Sequence, residues 1–383
     1  MGMLCLPVFL LLLTFGPGTF AAAADEAFAD ESASLYTLSP VVVRASSSEP
    51  GTATIGADEL QLMPSTTGAV TEALKGMSQV QYDYDQQSSL TLGEITPPRI
   101  SISGARPYEN NFTIDGMSIS NSINPSGFDN NVSYTELLPG GADVNIFYDT
   151  SLIDSVTLHS SNIPAQYGGF LGGVVDARLR DPQTDRWRFR VSGRYTEDSW
   201  FELRGVDRES DTPTNQPRFT VYDTSATAEG PVTDNAALLL SFSRRHSVIP
   251  LKRDLGAGPL AEDEQKRTNE NYFARLALTP AADLDISFDA TYAPYEEFRW
   301  RVDWPESEWK NENRSWRFAH QTDYSTSAGV LTAKLAYAQN RFRRDSVSNL
   351  TSVITDLRDP SQNDRRGAIG DAEVENREVG AAV

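Results

Sequence analysis

From about residue 183 onward the sequence alternates. Leu284, Ile286, Phe288, Ala290 and Tyr292 are interleaved with Asp285, Ser287, Asp289 and Thr291. The same rule holds for Trp187, Phe189, Val191 and Tyr195 against Arg188, Arg190, Ser192 and Arg194, and for Leu331, Ala333, Leu335 and Tyr337. A period of two puts successive side chains on opposite faces of a strand, so each run has one apolar and one polar face. Pro231-Val232-Thr233-Asp234-Asn235 and Pro280-Ala281-Ala282-Asp283 punctuate the runs as turns. About seven strands are expected, near 187–204, 218–230, 236–249, 271–280, 284–299, 314–326 and 328–344, with polar loops at 206–217 and 250–270. Aromatic residues near the strand ends suit a transmembrane β-barrel. A soluble β-sandwich shares the alternation, so periodicity alone leaves both open.

Upstream the texture differs. Residues 100–116, ISISGARPYENNFTIDG, and 152–181, LIDSVTLHSSNIPAQYGGFLGGVVDARLRD, each start as a short alternating strand and run into a glycine turn. Gly168, Gly169, Gly172 and Gly173 stand between Tyr167 and the β-branched pair Val174-Val175, where glycine permits left-handed turns and close strand approach. Between Gly56 and Val80 the sequence predicts a strand and then a helix opened by Pro64-Ser65-Thr66. Thr66 or Thr67 is its expected N-cap, and Val70, Ala73, Leu74 and Met77 form its apolar stripe. The stretch 25–37 is acidic and small, and LSPVVVRA (38–45) is a lone strand-prone segment before Ser46-Ser47-Ser48-Glu49-Pro50-Gly51. An unpaired Val41-Val42-Val43 run offers backbone groups that another sheet can capture, though an ordinary edge strand has the same composition.

In this order the three segments resemble the plug domain of TonB-dependent outer-membrane receptors. LSPVVVRA is similar to the TonB box, ISISGARPYENNFTIDGM to the family's segment ending in Ile-Asp-Gly, and IDSVTLHSSNIPAQYGGFLGGVVDARLRD to its closing Tyr-Gly…Gly-Gly-Val segment; the likeness covers residues 38–182. Ser103 stands where the family usually has Arg before Gly104, and Thr157-Leu158-His159-Ser160-Ser161 replaces its Glu-Val…Arg-Gly stretch. The resemblance implies a partner-binding TonB box at Leu38, Ser39, Pro40, Val41, Val42 and Val43, and structural plug positions at Gly104, Asp115, Gly116, Tyr167, Gly168, Gly172 and Gly173. Asp115, just before Gly116, reads as a turn residue rather than a catalytic acid.

Composition narrows the functional classes. The chain has 383 residues and a net charge of −20, which argues against nucleic acid and against electrostatic attraction to anionic lipid. A mean hydropathy of −0.40 excludes a helical membrane protein but not a β-barrel, whose strands are apolar on one face only. Leu4 to Phe15 is an uncharged apolar run followed by Gly16-Pro17-Gly18 and Ala21 to Ala24, the pattern of a secretory signal peptide. The only cysteine, Cys5, lies in that leader, so no disulfide or thiolate metal site is expected in the mature chain. His159, His246 and His320 are too scattered for zinc spacing, and no nucleophile-elbow or phosphate-loop motif occurs. No cofactor, no resident metal and no enzymatic activity are expected.

The expected architecture is therefore an α+β plug domain followed by the N-terminal strands of a transmembrane antiparallel β-barrel. The expected boundaries are signal peptide 1–24, periplasmic tether with TonB box 25–50, plug 51–182 and partial barrel 183–383. A plug of this size is roughly 35 Å across. Plugged outer-membrane transporters use about 22 strands to enclose one, so the barrel is expected to be incomplete in this chain. The resemblance implies import of a scarce ligand, such as a ferric siderophore, energised by a TonB-type protein, with outer-membrane lipid around the barrel. A surface or secreted β-rich adhesion protein carrying a plug-like module is the alternative.

Overall fold

The computed structural model describes residues 50–63, 68–82, 89–120, 144, 146–202, 207, 215–253, 261–301, 305–349, 352–354, 364–368 and 370–383. The proposed leader, the tether and Leu38 to Val43 lie outside the described residues.

The N-terminal module is built on a five-stranded sheet of order β1-β6-β7-β4-β5. Its strands are β1 (Thr52–Gly56), β4 (Asn111–Ile114), β5 (Met117–Ser118), β6 (Ile153–His159) and β7 (Val174–Leu179). All neighbours are antiparallel except β4 and β7, which run parallel. A second small pair joins β2 (Val80–Tyr82) to β3 (Ile100–Ile102). β4 is buried at every position and β7 at all but one, because the module is covered on both faces. Leu74, Ile100, Ile102, Val156, Leu158 and Val175 form the centre of its core.

Two short helices, α1 (Ala57–Leu62) and α2 (Val70–Ala73), contribute Leu60 and Ala73 to this core. The expected helix differs in extent and cap. α2 starts at Val70 with Ala69 as N-cap and no side-chain cap, and the chain tightens into a 3₁₀ turn at Leu74–Gly76. The 64–67 stretch, with the expected caps Thr66 and Thr67, lies outside the described residues. Residues 57–62, expected as strand ahead of the helix, instead form a helix of their own that buries Leu60.

The second half is one antiparallel sheet of eight strands, ordered β17-β14-β13-β12-β11-β10-β9-β8. These are β8 (Arg188–Glu197), β9 (Thr220–Thr233), β10 (Ala236–Arg253), β11 (Ala261–Ala281), β12 (Leu284–Arg299), β13 (Trp309–Thr326), β14 (Gly329–Ser346) and β17 (Ala372–Ala382). A small pair, β15 (Ser352–Ile354) with β16 (Asp364–Arg366), lies in the connection before β17. The expected loop at 250–270 is mostly strand: β10 runs on to Arg253 and β11 starts at Ala261. β17 was not expected at all. With both faces polar, AEVENREVGAA has no hydrophobic alternation to read.

Connections are unequal at the two ends of the sheet. Tight turns at 234–235, 282–283 and 327–328 close one end, whereas 198–219, 254–260, 300–308 and 347–371 join strands at the other. β10, β11, β13 and β14 have 18 to 21 residues. About 9–11 tilted residues suffice to cross a bilayer core, so these strands are longer than such a crossing needs.

The usual inside-outside rule is inverted here. On β12, Asp289 and Thr291 are buried while Phe288 is 46% exposed. Outward-facing rings form a stacked band: Tyr272 on Tyr292 at 5.9 Å, Tyr292 on Trp316 at 4.1 Å, and Phe242 beside Tyr272 at 5.0 Å. An outward apolar face with a band of aromatic rings suits lipid rather than water.

Candidate functional site: the seat of the module on the long sheet

The polar inner face of the long sheet carries the N-terminal module. Leu239, Phe273 and Ala293 of the sheet join the module's own core, and Tyr148 packs edge-on against Phe273 at 6.3 Å. Tyr148 also pairs its hydroxyl with Thr291 Oγ1 at 2.9 Å, and Asn271 Nδ2 donates to the Phe147 carbonyl at 3.0 Å. Burial raises the Tyr148 pKa, which keeps its hydroxyl neutral. Two ionic nodes then fix the module, one toward each end of the sheet.

The node nearer the short turns is the Ile114-Asp115-Gly116 turn. Asp115 has φ +53° and Gly116 φ +79°, so this turn needs two consecutive left-handed residues, which Asp and Gly tolerate best. Asp115 Oδ1 accepts from the Leu179 amide at 3.1 Å, Oδ2 accepts from Arg275 Nη1 at 3.3 Å, and its carbonyl accepts from Lys334 Nζ at 2.7 Å. Arg317 donates to the Ile114 carbonyl at 3.3 Å, and Asp176 Oδ1 accepts from the Gly116 amide at 3.0 Å. Arg275 also meets Asp289 at 3.3 Å and Asp181 at 2.9 Å. A turn residue by sequence is here also a joint between module and sheet.

The second node is Glu94, on the segment before β3. Its carboxylate takes a two-pronged contact from Arg267, both prongs at 3.0 Å, plus Gln216 Nε2 at 3.0 Å and Arg299 at 3.4 Å. Arg267 is fully buried, and it is held also by the Phe298 carbonyl at 3.0 Å. Glu297 completes the group, 2.9 Å from Arg299 and 3.8 Å from Arg267. Next to it, Ser247 Oγ donates to the Gly93 carbonyl at 2.6 Å, and Leu92 packs on an apolar cluster of Phe219, Ile249, Leu251 and Trp300.

Burial alone would raise the Glu94 carboxyl, but the Arg267 and Arg299 guanidiniums outweigh it and bring the pKa from 4.5 down to about 2. A carboxylate with a depressed folded-state pKa stabilises above its unfolded value and loses that contribution as pH falls through the folded one. The node is thus expected to be complete above pH 4.5 and to release only as pH falls toward about 2. Acid unfolding curves of the wild type and Glu94→Gln check this. They should converge as pH drops through that window; a constant gap down to pH 2 would contradict it.

The glycine-rich turn does separate work. Tyr167 donates to Asp176 Oδ2 at 3.1 Å, the Gly168 carbonyl accepts from Asn111 Nδ2 at 2.7 Å, and Gly173 N donates to Asn110 Oδ1 at 3.2 Å. A Cβ on Gly172 would lie 2.5 Å from Ala105 Cβ, and one on Gly173 2.5 Å from Ile102 Cγ2. Gly104 takes φ +83° just after Ser103 at φ +54°. Gly168 has open space around it and no positive φ; the left-handed residue is its neighbour Gly169, at φ +69°. Among the described residues no group of His, Cys, Asp and Glu could hold a metal ion.

A small mixed sheet seated on the polar face of a long-stranded antiparallel sheet is a distinctive arrangement, and it recurs in solved structures. The outer membrane transporter YddB from Escherichia coli matches with a TM-score of 0.74 at 22% identity, over 86% of this chain and 44% of that one. The fold is that of the TonB-dependent outer-membrane receptors. A mutant of the ferric enterobactin receptor PfeA from Pseudomonas aeruginosa matches with a TM-score of 0.55 at 15% identity, over 87% of this chain and 45% of that one. In sequence, E. coli YddB is 29% identical over 250 residues, 61% of this chain and 31% of the relative. No family model matches the chain. The chain thus spans less than half the length of these relatives, and its eight long strands correspond to part of a receptor barrel.

In this receptor fold the N-terminal module is the plug and the long sheet the barrel wall. Sequence reasoning located the plug turns but missed the residues that seat them: Glu94, Arg267, Arg275, Arg299, Arg317 and Lys334. Arg275 and Arg317 had a signal, since each occupies the polar register of an expected alternating strand, whereas Arg267 lies in the stretch that reads as a loop. Glu94 had none. Its partner Arg267 is 173 positions away.

Proposed function

We propose that the chain is the plug and leading barrel wall of an outer-membrane receptor that imports a scarce ligand, a ferric siderophore or similar chelate, into the periplasm. The seating of the plug on the inner face by the Glu94 and Asp115 nodes carries this reading, because it covers the polar face of the wall and leaves the apolar face outward. In such a receptor no bond of the ligand is broken. The long connections lie on the ligand-capturing side, and the short turns face the periplasm, where a TonB-type energy-transducing protein engages the segment Leu38 to Val43 by strand pairing. The name of PfeA, a ferric enterobactin receptor, supports the ligand class by analogy of fold.

The experiment is Val42→Pro in the outer-membrane protein. Proline removes a ladder donor from a strand that must pair. Energised uptake is expected to be abolished while ligand binding at the cell surface is unchanged. Uptake at the wild-type rate would remove the TonB-box assignment, and a protein that fractionates outside the outer membrane would remove the receptor reading altogether.

A further inference from the structure

The outward face of the long sheet changes character at one level. Phe242, Tyr272, Tyr292, Trp316 and Gln339 lie side by side across β10 to β14. On the short-turn side of this row the outward residues of those strands include no Asp, Glu, Lys or Arg. Two residues toward the long connections stand Arg244, Glu270, Pro294, Arg314 and Arg341. A step from apolar through aromatic to charged side chains is what a headgroup region imposes on a β-barrel wall.

Within the charged row Arg314 and Arg341 are directly opposite each other, both about half exposed. Like charges so placed on neighbouring strands repel. The carboxylates around them are shared or engaged elsewhere. Arg314 Nη2 donates to Glu312 at 3.1 Å, but Glu312 also takes Lys310 at 2.6 Å, which reaches Glu296 at 3.2 Å. Arg341 donates through Nε and Nη2 to one oxygen of Glu373, at 3.1 and 2.7 Å. Glu375, opposite Arg341, is held by Arg377 at 2.6 Å and Gln339 at 3.0 Å, and Arg343 is turned to Asp345 at 2.8 Å. These contacts orient the two guanidiniums. They leave Nε and Nη1 of Arg314 and Nη1 of Arg341 with no partner among the described residues. Adjacent guanidiniums with donors to spare match the oxygens of a phosphate.

Below the aromatic row the small residues Ala228, Ala274 and Ala290 leave a groove of about 590 Å³ on the outward face, lined also by Tyr292 and Trp316. Trp316 is two residues along β13 from Arg314, so groove and arginine pair are neighbours. We propose that Arg314 and Arg341 together hold the phosphate of a membrane lipid whose acyl chain lies in this groove. A net charge of −20 opposes a general attraction to anionic lipid, but a headgroup in contact with two guanidiniums feels the pair rather than the distant, screened charges. The site rests on the outward face meeting lipid and is independent of what the receptor imports.

Dioleoylphosphatidic acid, a phosphate monoester on two acyl chains, tests the site in the purified outer-membrane protein held in non-ionic detergent. The wild type and Lys266→Gln, which removes a half-exposed cation elsewhere on the same face, are expected to bind it alike. Arg314→Gln combined with Arg341→Gln should weaken binding on the order of ten-fold or more, because charge-assisted contacts to the phosphate are lost. Ala290→Trp, which fills the groove and leaves both arginines in place, should weaken it as well. Dioleoylglycerol, with the same chains and no phosphate, should bind no better to the wild type than to the double variant. Equal binding of the phosphatidic acid by the wild type and either variant would overturn the proposal. So would its displacement by inorganic phosphate at equal concentration, which would make this a site for the free anion. The measurement needs neither uptake nor a TonB partner. Its failure would leave the transport reading standing, and a failure of Val42→Pro would leave the lipid site standing.

Discussion

Gly173→Val is expected to unfold the plug while Gly168→Ala leaves it intact. At Gly173 even a Cβ would lie 2.5 Å from Ile102 Cγ2 and 2.7 Å from the His159 carbonyl, where β3 and β6 converge on the start of β7. Neither neighbour can give way: Ile102 is fully buried, and the His159 carbonyl belongs to a strand paired on both sides. Overpacking of this kind costs about 1–3 kcal/mol and more where neither neighbour can move, a large part of the stability of a domain this size. Gly168 faces open space, and its partner Asn111 reaches only its backbone. Urea unfolding of the two variants distinguishes them. Equal stability would mean that the strands can part at Gly173 without loss.

Arg267→Leu is expected to loosen the plug from the barrel wall. The guanidinium is fully buried and neutralises two carboxylates, Glu94 of the plug and Glu297 of the wall. Removing it leaves Arg299 alone between them. Breaking a buried ion pair by deleting one partner typically costs about 3–5 kcal/mol, because the stranded charge stays buried. Proteolysis of the plug in mild urea should speed up accordingly. The double variant Arg267→Leu with Glu94→Gln should recover part of the loss, since it removes one stranded charge together with its partner. Equal protection of Arg267→Leu and wild type would mean that the apolar cluster around Leu92 holds this end without the ions.

Much of this molecule was legible in its sequence where one face of an element differs from the other. Leu284 to Tyr292 announced a strand and both of its faces, because an exposed apolar face opposite a buried polar one imposes a period of two. The signal fails toward the long-connection end of the sheet. Residues 261–270 pass for a loop by composition, since both faces there are solvated or ion-paired, as Arg244 with Glu270 and Lys266 with Glu264 show. The same blindness hid β17. Local turn chemistry was readable at Asp115-Gly116 and Gly172-Gly173, whereas Gly168 was credited with a constraint that belongs to Gly169. The nodes were not readable. Ion pairs between a plug loop and a barrel strand depend on how one sheet seats on another, and no local pattern encodes that.

The position of β1 has a mechanical consequence. Among the described residues it is both the first strand of the plug and the outermost in its sheet, attached by five residues along β6 and paired with no other strand. A tug on the chain ahead of Thr52 therefore meets a hem rather than a seam in mid-cloth. The ladder from Thr52–His159 to Gly56–Ser155 can be stripped from one end. What remains is β6, β7, β4 and β5, with Glu94 and Asp115 still clasped by the wall. The fold thus separates a first, low-force event, the release of one edge, from a second and costlier one, the opening of the charged clasps.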